Sequence, residues 1–214
     1  MNAGTLRKLP LLLIPLAILK GQVMPDTVPR SQTPVDCRQR TAEDFLPMNR
    51  TERTSLYLQE LFGPTAVLFT LARSGVNQGL DSPHEWEQDA GGFGYRVASA
   101  FSQHAITVSF EEGIALGLDE DNRYFASGKH GFGPRLRYSI ESSFLARHDN
   151  GSRSFSFSAV GGPAVGATVS RFWQPNSTSS AASAAASFGV TIGIRVGLNV
   201  AREFAPHFVR RLLQ

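Results

Sequence analysis

The stretch AASFGVTIGIRVGLNVAREFAPHF, residues 185–208, decides how the fold of this chain is interpreted. Small residues recur in it at every fourth position, which on an α-helix places them in one stripe along one face. They are Gly189, Gly193, Gly197, Ala201 and Ala205. The larger apolar residues from Phe188 to Val200 also alternate with small or polar ones, which is the period of a half-buried β-strand. The stretch therefore predicts either a helical protein or an outer-membrane β-barrel.

Other parts of the sequence favour helices. The run Ser180–Ser187 is rich in alanine, which is the best helix former and a poor strand former. Two more series of small residues have helical spacing: Ala98, Ser102, Ala105, Ser109 and Gly113, and then Gly162, Gly166 and Ser170. The region 49–75 lacks the regular strand-length segments that a barrel needs. We therefore predict an all-α fold, a compact bundle of about five to six helices packed through Gly, Ala and Ser stripes.

The segment around Asp149-Asn150-Gly151 is the best local evidence for strands. This tripeptide is typical of a turn, and the following Ser154–Ser158 alternates serine with phenylalanine. Residues 138–147 and 153–160 would then form a hairpin. In the helical interpretation, a helix covers residues 135–147 and ends at the same turn.

The N-terminus predicts export. Arg7 and Lys8 precede the apolar run Leu9–Leu19, which has the length of a signal-peptide hydrophobic region. We assign residues 1–23 to a signal peptide or an N-terminal anchor, residues 24–48 to a disordered linker rich in Pro, Thr, Ser and Gln, and residues 49–214 to a helical domain. Cys37 is the only cysteine, so no internal disulfide can form.

Several short motifs predict where helices begin and end. Asn49 followed by Glu52 has the pattern of a capping box, and Gly63-Pro64 separates one helix from the next, which should stop near Gly75. Ser82, with proline after it and Glu85 three residues on, predicts another helix start. Glu85 therefore has a structural role before any catalytic one.

Arginine supplies nearly all of the positive charge. The net charge is +3, and only Lys8, Lys20 and Lys129 are lysines. This is not the lysine-rich surface typical of nucleic-acid binding, so we expect no nucleic-acid partner. Arginine is suited to bidentate pairing with carboxylates or phosphates, and we expect most arginines to pair with the acidic residues. Arg195 and Asn199, inside the apolar stretch, require partners such as Glu111, Glu112 or Glu203.

The cluster Asp119–Arg123 is the densest group of polar side chains. Its carboxylates are hard oxygen donors of the kind that bind calcium or magnesium, with Asp119 and Asp121 as the metal-ligand candidates. If the protein is an enzyme, the candidate catalytic residues are Glu85 as general base, His104 as proton shuttle, Asp121 as metal ligand and Arg123 as phosphate clamp. The histidines lack zinc-site spacing, and no nucleophile elbow occurs.

Five short motifs resemble those of a family of exported bacterial proteins of unknown function. They are PHEWEQ (residues 83–88), GFGYR (92–96), EDNRYF (120–125), FSFS (155–158) and NVAREF (199–204). The likeness runs from about Tyr57 to the C-terminus, and departs from the family pattern at Glu87 and at Phe172-Trp173. The resemblance implies a helical fold but no activity, cofactor or catalytic residue.

The sequence leaves two classes of function open. The first is a non-enzymatic envelope protein, periplasmic or membrane-associated, that oligomerises through its small-residue stripes. Its basic and apolar tail, with Arg202, Arg210 and Arg211 beside Phe204 and Phe208, suits an anionic lipid surface. The alternative is a hydrolase acting on lipid or cell-wall phosphate through Asp121 and a divalent ion.

Overall fold

A computed structural model describes residues 45–212, with side chains described as far as Ala205. Predictions for the signal peptide or anchor, for most of the linker including Cys37, and for the side chains of the tail beyond Ala205 lie outside the described residues. The helices in chain order are α1 (Arg50–Phe62), α2 (Pro64–Gly79), α3 (Ala90–Gly117), α4 (Phe132–Glu141), α5 (Phe157–Val169) and α6 (Ala181–Leu212). Short 3₁₀ turns cover His84–Trp86, Ser170–Phe172 and Asn176–Thr178.

The all-α prediction is confirmed. Residues 185–208 lie within α6, which is one continuous helix, so the interpretation of this stretch as a strand is wrong. The predicted hairpin is present as a shorter antiparallel pair, β1 (Leu145–Arg147) with β2 (Arg153–Phe155). The helix predicted over residues 135–147 instead occupies Phe132–Glu141, and the last three residues of the predicted range form β1.

The local signals at the first two helices are confirmed. The Asn49 side chain accepts a hydrogen bond from the Glu52 backbone N–H at 2.8 Å, and the Asn49 N–H donates to the Glu52 carboxylate at 3.3 Å. Pro64 stands at the first position of α2, where its missing N–H costs nothing. That helix runs past Gly75 and ends at Gly79.

The helix start predicted at Ser82 is wrong. A single 3₁₀ turn follows Pro83, and α3 begins only at Ala90, where the Asp89 side chain accepts from the Gly92 N–H at 2.6 Å. The backbone carbonyls of Ser82, Pro83 and Glu87 accept hydrogen bonds from the buried Arg96 guanidinium, and the Pro83 carbonyl also accepts from the Trp86 N–H of the 3₁₀ turn. This long-range contact overrides the local capping signal.

Close packing between α3 and α5 forms the centre of the bundle. A Cβ atom at Gly162 would stand 2.7 Å from the Thr107 backbone oxygen and 2.9 Å from Glu111 Cα. One at Gly166 would stand 3.1 Å from the Gln103 backbone oxygen. Only glycine allows the two helix backbones to approach this closely, so the small-residue stripe of α5 packs as predicted.

The stripe on α6 does not pack against any other part of the described residues. Gly189, Gly193 and Gly197 are exposed, and a Cβ atom at any of them would meet nothing of this part of the chain within 4 Å. Ala201 and Ala205 are exposed as well. Helix α6 instead contacts α4 and α5 through its other side, where Asn199 and Glu203 are buried. The helical spacing was interpreted correctly, but the stripe faces outward.

The interior is unusually polar and part of the exterior is unusually apolar. On α2 the buried residues are Ala66, Thr70 and Ser74, whereas Leu68 is 65% exposed and Val76 61% exposed. No buried side-chain nitrogen or oxygen in the described residues lacks a hydrogen-bond partner. Buried polar groups must be paired to be tolerated, and here this requirement is met.

Two buried carboxylates organise these polar contacts. Glu120 accepts hydrogen bonds at 2.9 Å from the Phe157 and Ser158 backbone N–H groups, at the start of α5. Glu203 accepts from Tyr124 at 2.5 Å and from Arg135 at 2.9 Å. A carboxylate that receives several N–H and O–H donors is stabilised in its charged form. Together these contacts fix α5 and α6 to the loop between α3 and α4.

Candidate anion-binding cavity

A cavity of about 530 Å³ lies between α2, α3, α6 and the segments that flank α3 and follow α5. Its polar end carries the side chains of Arg73 and Arg171 and the Ser187 hydroxyl, while apolar side chains of α2 and α6 form much of the remaining wall. The residues that line the cavity include Phe69, Arg73, Val76, Trp86, Arg96, Ser99, Gln103, Arg171, Thr178, Ser187, Val190 and Ile194.

Arg73 and Arg171 meet at this polar end. Nη2 of Arg73 donates to Gln103 Oε1 at 3.0 Å and to Ser187 Oγ at 3.5 Å. Nη2 of Arg171 donates to the same Ser187 oxygen at 3.3 Å. Two like-charged guanidinium groups therefore lie within hydrogen-bond reach of a single hydroxyl oxygen. The positive charge is concentrated at one point of the cavity wall.

No carboxylate neutralises this pair. Among the described residues, neither Arg73 nor Arg171 takes part in an ion pair, and the cavity lining contains no Asp or Glu. Burial, followed by repulsion from Arg171, lowers the pKa of the Arg73 guanidinium, and burial lowers the pKa of Arg171. Both effects oppose the charged forms, and an anion between the two groups would relieve them.

Arg73 also has N–H groups that donate no hydrogen bond within the described residues. The hydrogen bonds of its side chain in the described residues all come from Nη2, which leaves the N–H groups of Nε and Nη1 without an acceptor. Since no fully buried nitrogen in this part of the chain is unsatisfied, neither of those two atoms is fully buried. A guanidinium edge with free N–H groups matches the two oxygens of a carboxylate or phosphate.

Arg171 is held more firmly. It follows α5 directly, in the turn Ser170–Phe172, and Nη1 donates to the Thr178 backbone oxygen at 2.5 Å. Nε donates to the Ala167 backbone oxygen at 3.1 Å. The close approach of α5 to α3 carries this turn to the cavity, so the guanidinium is positioned before any ligand arrives.

Arg96 has a structural role in the cavity wall and is not one of the two arginines that meet at Ser187. Its side chain is buried, and it donates to Gln78 Oε1 at 2.7 Å and to backbone carbonyls of the segment 82–87. Asp81 lies 3.4 Å from Arg96 Nη2, so this arginine has an acidic partner. By holding the segment in place, Arg96 positions Trp86, which also contacts Tyr95 with ring centroids 6.3 Å apart.

The structure brings together only two of the residues predicted as a catalytic group. Asp121 is buried, and its carboxylate accepts from Arg123 Nη2 at 2.7 Å and Nε at 2.9 Å. Arg123 also donates to the Leu46 backbone oxygen at 2.7 Å. This pair fixes the loop after α3 against the segment that precedes α1. The Asp121 oxygens are thereby engaged by a side chain of the protein.

The other candidates lie elsewhere. Glu85 accepts from the Ser177 hydroxyl at 2.6 Å and from the Ser177 N–H at 3.2 Å, and the hydrogen bond from the hydroxyl chiefly lowers the pKa of this carboxyl. His104 Nε2 donates to the Glu60 backbone oxygen at 2.8 Å. Asp119 is exposed in the turn after α3. The part of the chain described here contains no group of three or more His, Cys, Asp or Glu side chains that could hold a metal ion.

The sequence motifs did not point to Arg73, Arg171 or Ser187. These residues come from three segments far apart in the chain, and none lies in a recognisable motif. The available signal was chemical: arginine far outnumbers lysine and arginine is suited to anions. The pairing predicted for Arg195 is confirmed, because its Nη1 donates to Glu111 Oε1 at 2.8 Å.

Comparison of the chain with protein-family models, with curated proteins and with solved structures gave no match. One segment among the described residues, Ala181–Ala205 in α6, is long and apolar enough to cross a membrane by length and composition.

Proposed function

We propose that this protein is an exported, non-enzymatic protein of the cell envelope that binds an anionic ligand in the cavity at Arg73 and Arg171. The observation that carries the proposal is the meeting of these two guanidinium groups at Ser187 with no carboxylate beside them. Partial burial of two positive charges with no carboxylate beside them is unfavourable. A bound carboxylate or phosphate offsets that cost and accepts the unused N–H groups of Arg73.

The composition of the cavity supports binding rather than catalysis. Its lining includes hydrogen-bond donors, amides and apolar side chains, and within the described residues it includes no Asp, Glu, His, Cys or Lys. Acid–base catalysis requires a titratable group near the reacting atoms. Fixed arginines beside an apolar wall instead match a ligand-binding pocket, in which a few polar groups orient the ligand.

Two features support a location at the envelope membrane. Arg7, Lys8 and the apolar run after them have the pattern of an export signal. The outward faces of α2 and α6 carry exposed apolar or small residues that do not line the cavity, among them Leu68, Leu71 and Gly193. An exposed apolar surface is typical of proteins that contact lipid or another subunit. A membrane surface and a second copy of the chain along the α6 stripe are the partners that we propose.

Titration calorimetry of the purified chain with inorganic phosphate and with acetate tests the proposal. We expect saturable binding at one site, and a roughly tenfold or greater weakening in Arg73→Gln and in Arg171→Gln, because hydrogen bonds to charged groups contribute about 1.5–3 kcal/mol. Arg137→Gln is the matched control, since Arg137 is 82% exposed and its ion pair among the described residues is with Glu141 on the same helix. No binding by the unaltered protein, or an equal loss in the control, would refute the assignment.

A further inference from the structure

The cavity has an apolar wall that a small inorganic anion would leave unused. From this wall we infer that the ligand is a single-chain acidic amphiphile, a fatty acid or an alkyl phosphate. Its head lies between Arg73 and Arg171, and its alkyl chain lies between α2 and α6. The inference rests on the proposed anion site and adds the chemical class of the ligand.

The two flanking helices present apolar rows to the same cavity. On α2, Phe69, Ala72 and Val76 line it together with Arg73. These positions fall on one face of a helix because they are three or four residues apart. The polar and apolar parts of this wall are therefore adjacent, and a ligand held by Arg73 lies against the side chains next to it.

A second apolar row lies on α6. Ser187 lies at the polar end, and Val190 and Ile194 follow at steps of three and four residues along the cavity wall. At a rise of about 1.5 Å per residue, the distance from Ser187 to Ile194 is about 10 Å along the helix. An alkyl chain of roughly that length would extend from a head group at Ser187 along this row.

The exposure of these apolar residues supports a chain rather than a polar ligand. Val76 is 61% exposed and Val190 51% exposed, although both line the cavity. Covering such side chains with methylene groups removes apolar surface from water on both sides. A free phosphate or a polar ester would satisfy the arginines but leave this surface in water.

A homologous series of carboxylates tests the inference by calorimetry, at concentrations below micelle formation. Affinity should rise from acetate through butanoate and hexanoate to octanoate by up to about fourfold for each methylene that becomes fully buried. It should then level off as the chain outgrows the wall. Octyl phosphate should bind like octanoate, whereas the neutral octanol should bind far more weakly, because it lacks the charge that the arginines recognise.

Two kinds of variant separate the head from the chain. Arg171→Gln should weaken acetate and octanoate by the same factor, whereas Val190→Ser should weaken octanoate severalfold and leave acetate unchanged. Val67→Ser is the matched control, because Val67 is 46% exposed on α2 but does not line the cavity. If acetate and phosphate bind but affinity does not rise with chain length, the inference is wrong and the anion site stands. If none of the series binds, both fail.

Discussion

Replacing Gly162 with alanine tests whether the contact between α3 and α5 holds the bundle together. The added methyl group would lie 2.7 Å from the Thr107 backbone oxygen and 2.9 Å from Glu111 Cα, and backbone atoms cannot rotate away. Forcing an extra carbon into a packed interface costs about 1–3 kcal/mol. Alanine also favours a helix over glycine by about 1 kcal/mol, which offsets part of this cost. We expect a net loss of up to about 2 kcal/mol in the free energy of unfolding.

Gly193→Ala on α6 provides a control of opposite sign. Among the described residues of a single chain, a Cβ atom there meets nothing within 4 Å, so the monomer gains only helix propensity, up to about 1 kcal/mol of stabilisation. Urea denaturation followed by circular dichroism at a helical wavelength measures both variants against the parent chain. Stabilisation of both variants, or equal destabilisation of both, would refute the assignment of the α5 stripe as the packing seam and the α6 stripe as an outward face.

Two further predictions concern buried charges. Burial raises the pKa of the Glu120 carboxyl, but hydrogen bonds from the Ser158 side chain and the Ser158 and Phe157 N–H groups outweigh it, so its folded pKa is below the ordinary value. The stability from this group is present above its unfolded pKa and is lost as pH falls through the folded pKa. Glu120→Gln should therefore destabilise the protein by about 2–4 kcal/mol at neutral pH. It should also make the loss of stability on acidification less steep. Urea denaturation at a series of pH values measures this, and an unchanged dependence of stability on pH would contradict the prediction. Arg195→Gln should lower the free energy of unfolding by about 1–3 kcal/mol, because it leaves the Glu111 carboxylate without its ion-pair partner. Adding Glu111→Gln should recover part of that loss. Additive losses in the double-mutant cycle would show that the two side chains do not interact.

The motifs that suggested a family resemblance have a structural explanation in this chain. EDNRYF and FSFS meet where Glu120 holds the start of α5, and EDNRYF and NVAREF meet where Tyr124 donates to Glu203. PHEWEQ and GFGYR meet where Arg96 donates to the Pro83 and Glu87 carbonyls. Each motif therefore supplies one side of a buried polar contact. A membership in that family remains a proposal, but these contacts show why such residues would be needed together.

Local features of the sequence were enough to determine the helical fold class and several of the helix ends. The Asn49 capping box, the break at Gly63-Pro64 and the alanine-rich start of α6 act over a few residues, so their outcome can be worked out from neighbouring positions. The need of Arg195 for a carboxylate also followed from sequence, because a charge within an apolar helix requires a partner. Where a distant group competed, as Arg96 does for the carbonyls after Ser82, the local prediction was wrong.

Only the tertiary structure decided which small-residue stripe packs and where an anion could bind. The stripes of α5 and α6 have the same spacing, and their spacing cannot show which one another helix covers. The packing of α2, α6 and the turn after α5 brings together Arg73, Ser187 and Arg171. More than a hundred residues of chain separate Arg73 from Ser187. Helix formation depends on near neighbours, but the convergence of charges depends on how whole helices pack against one another.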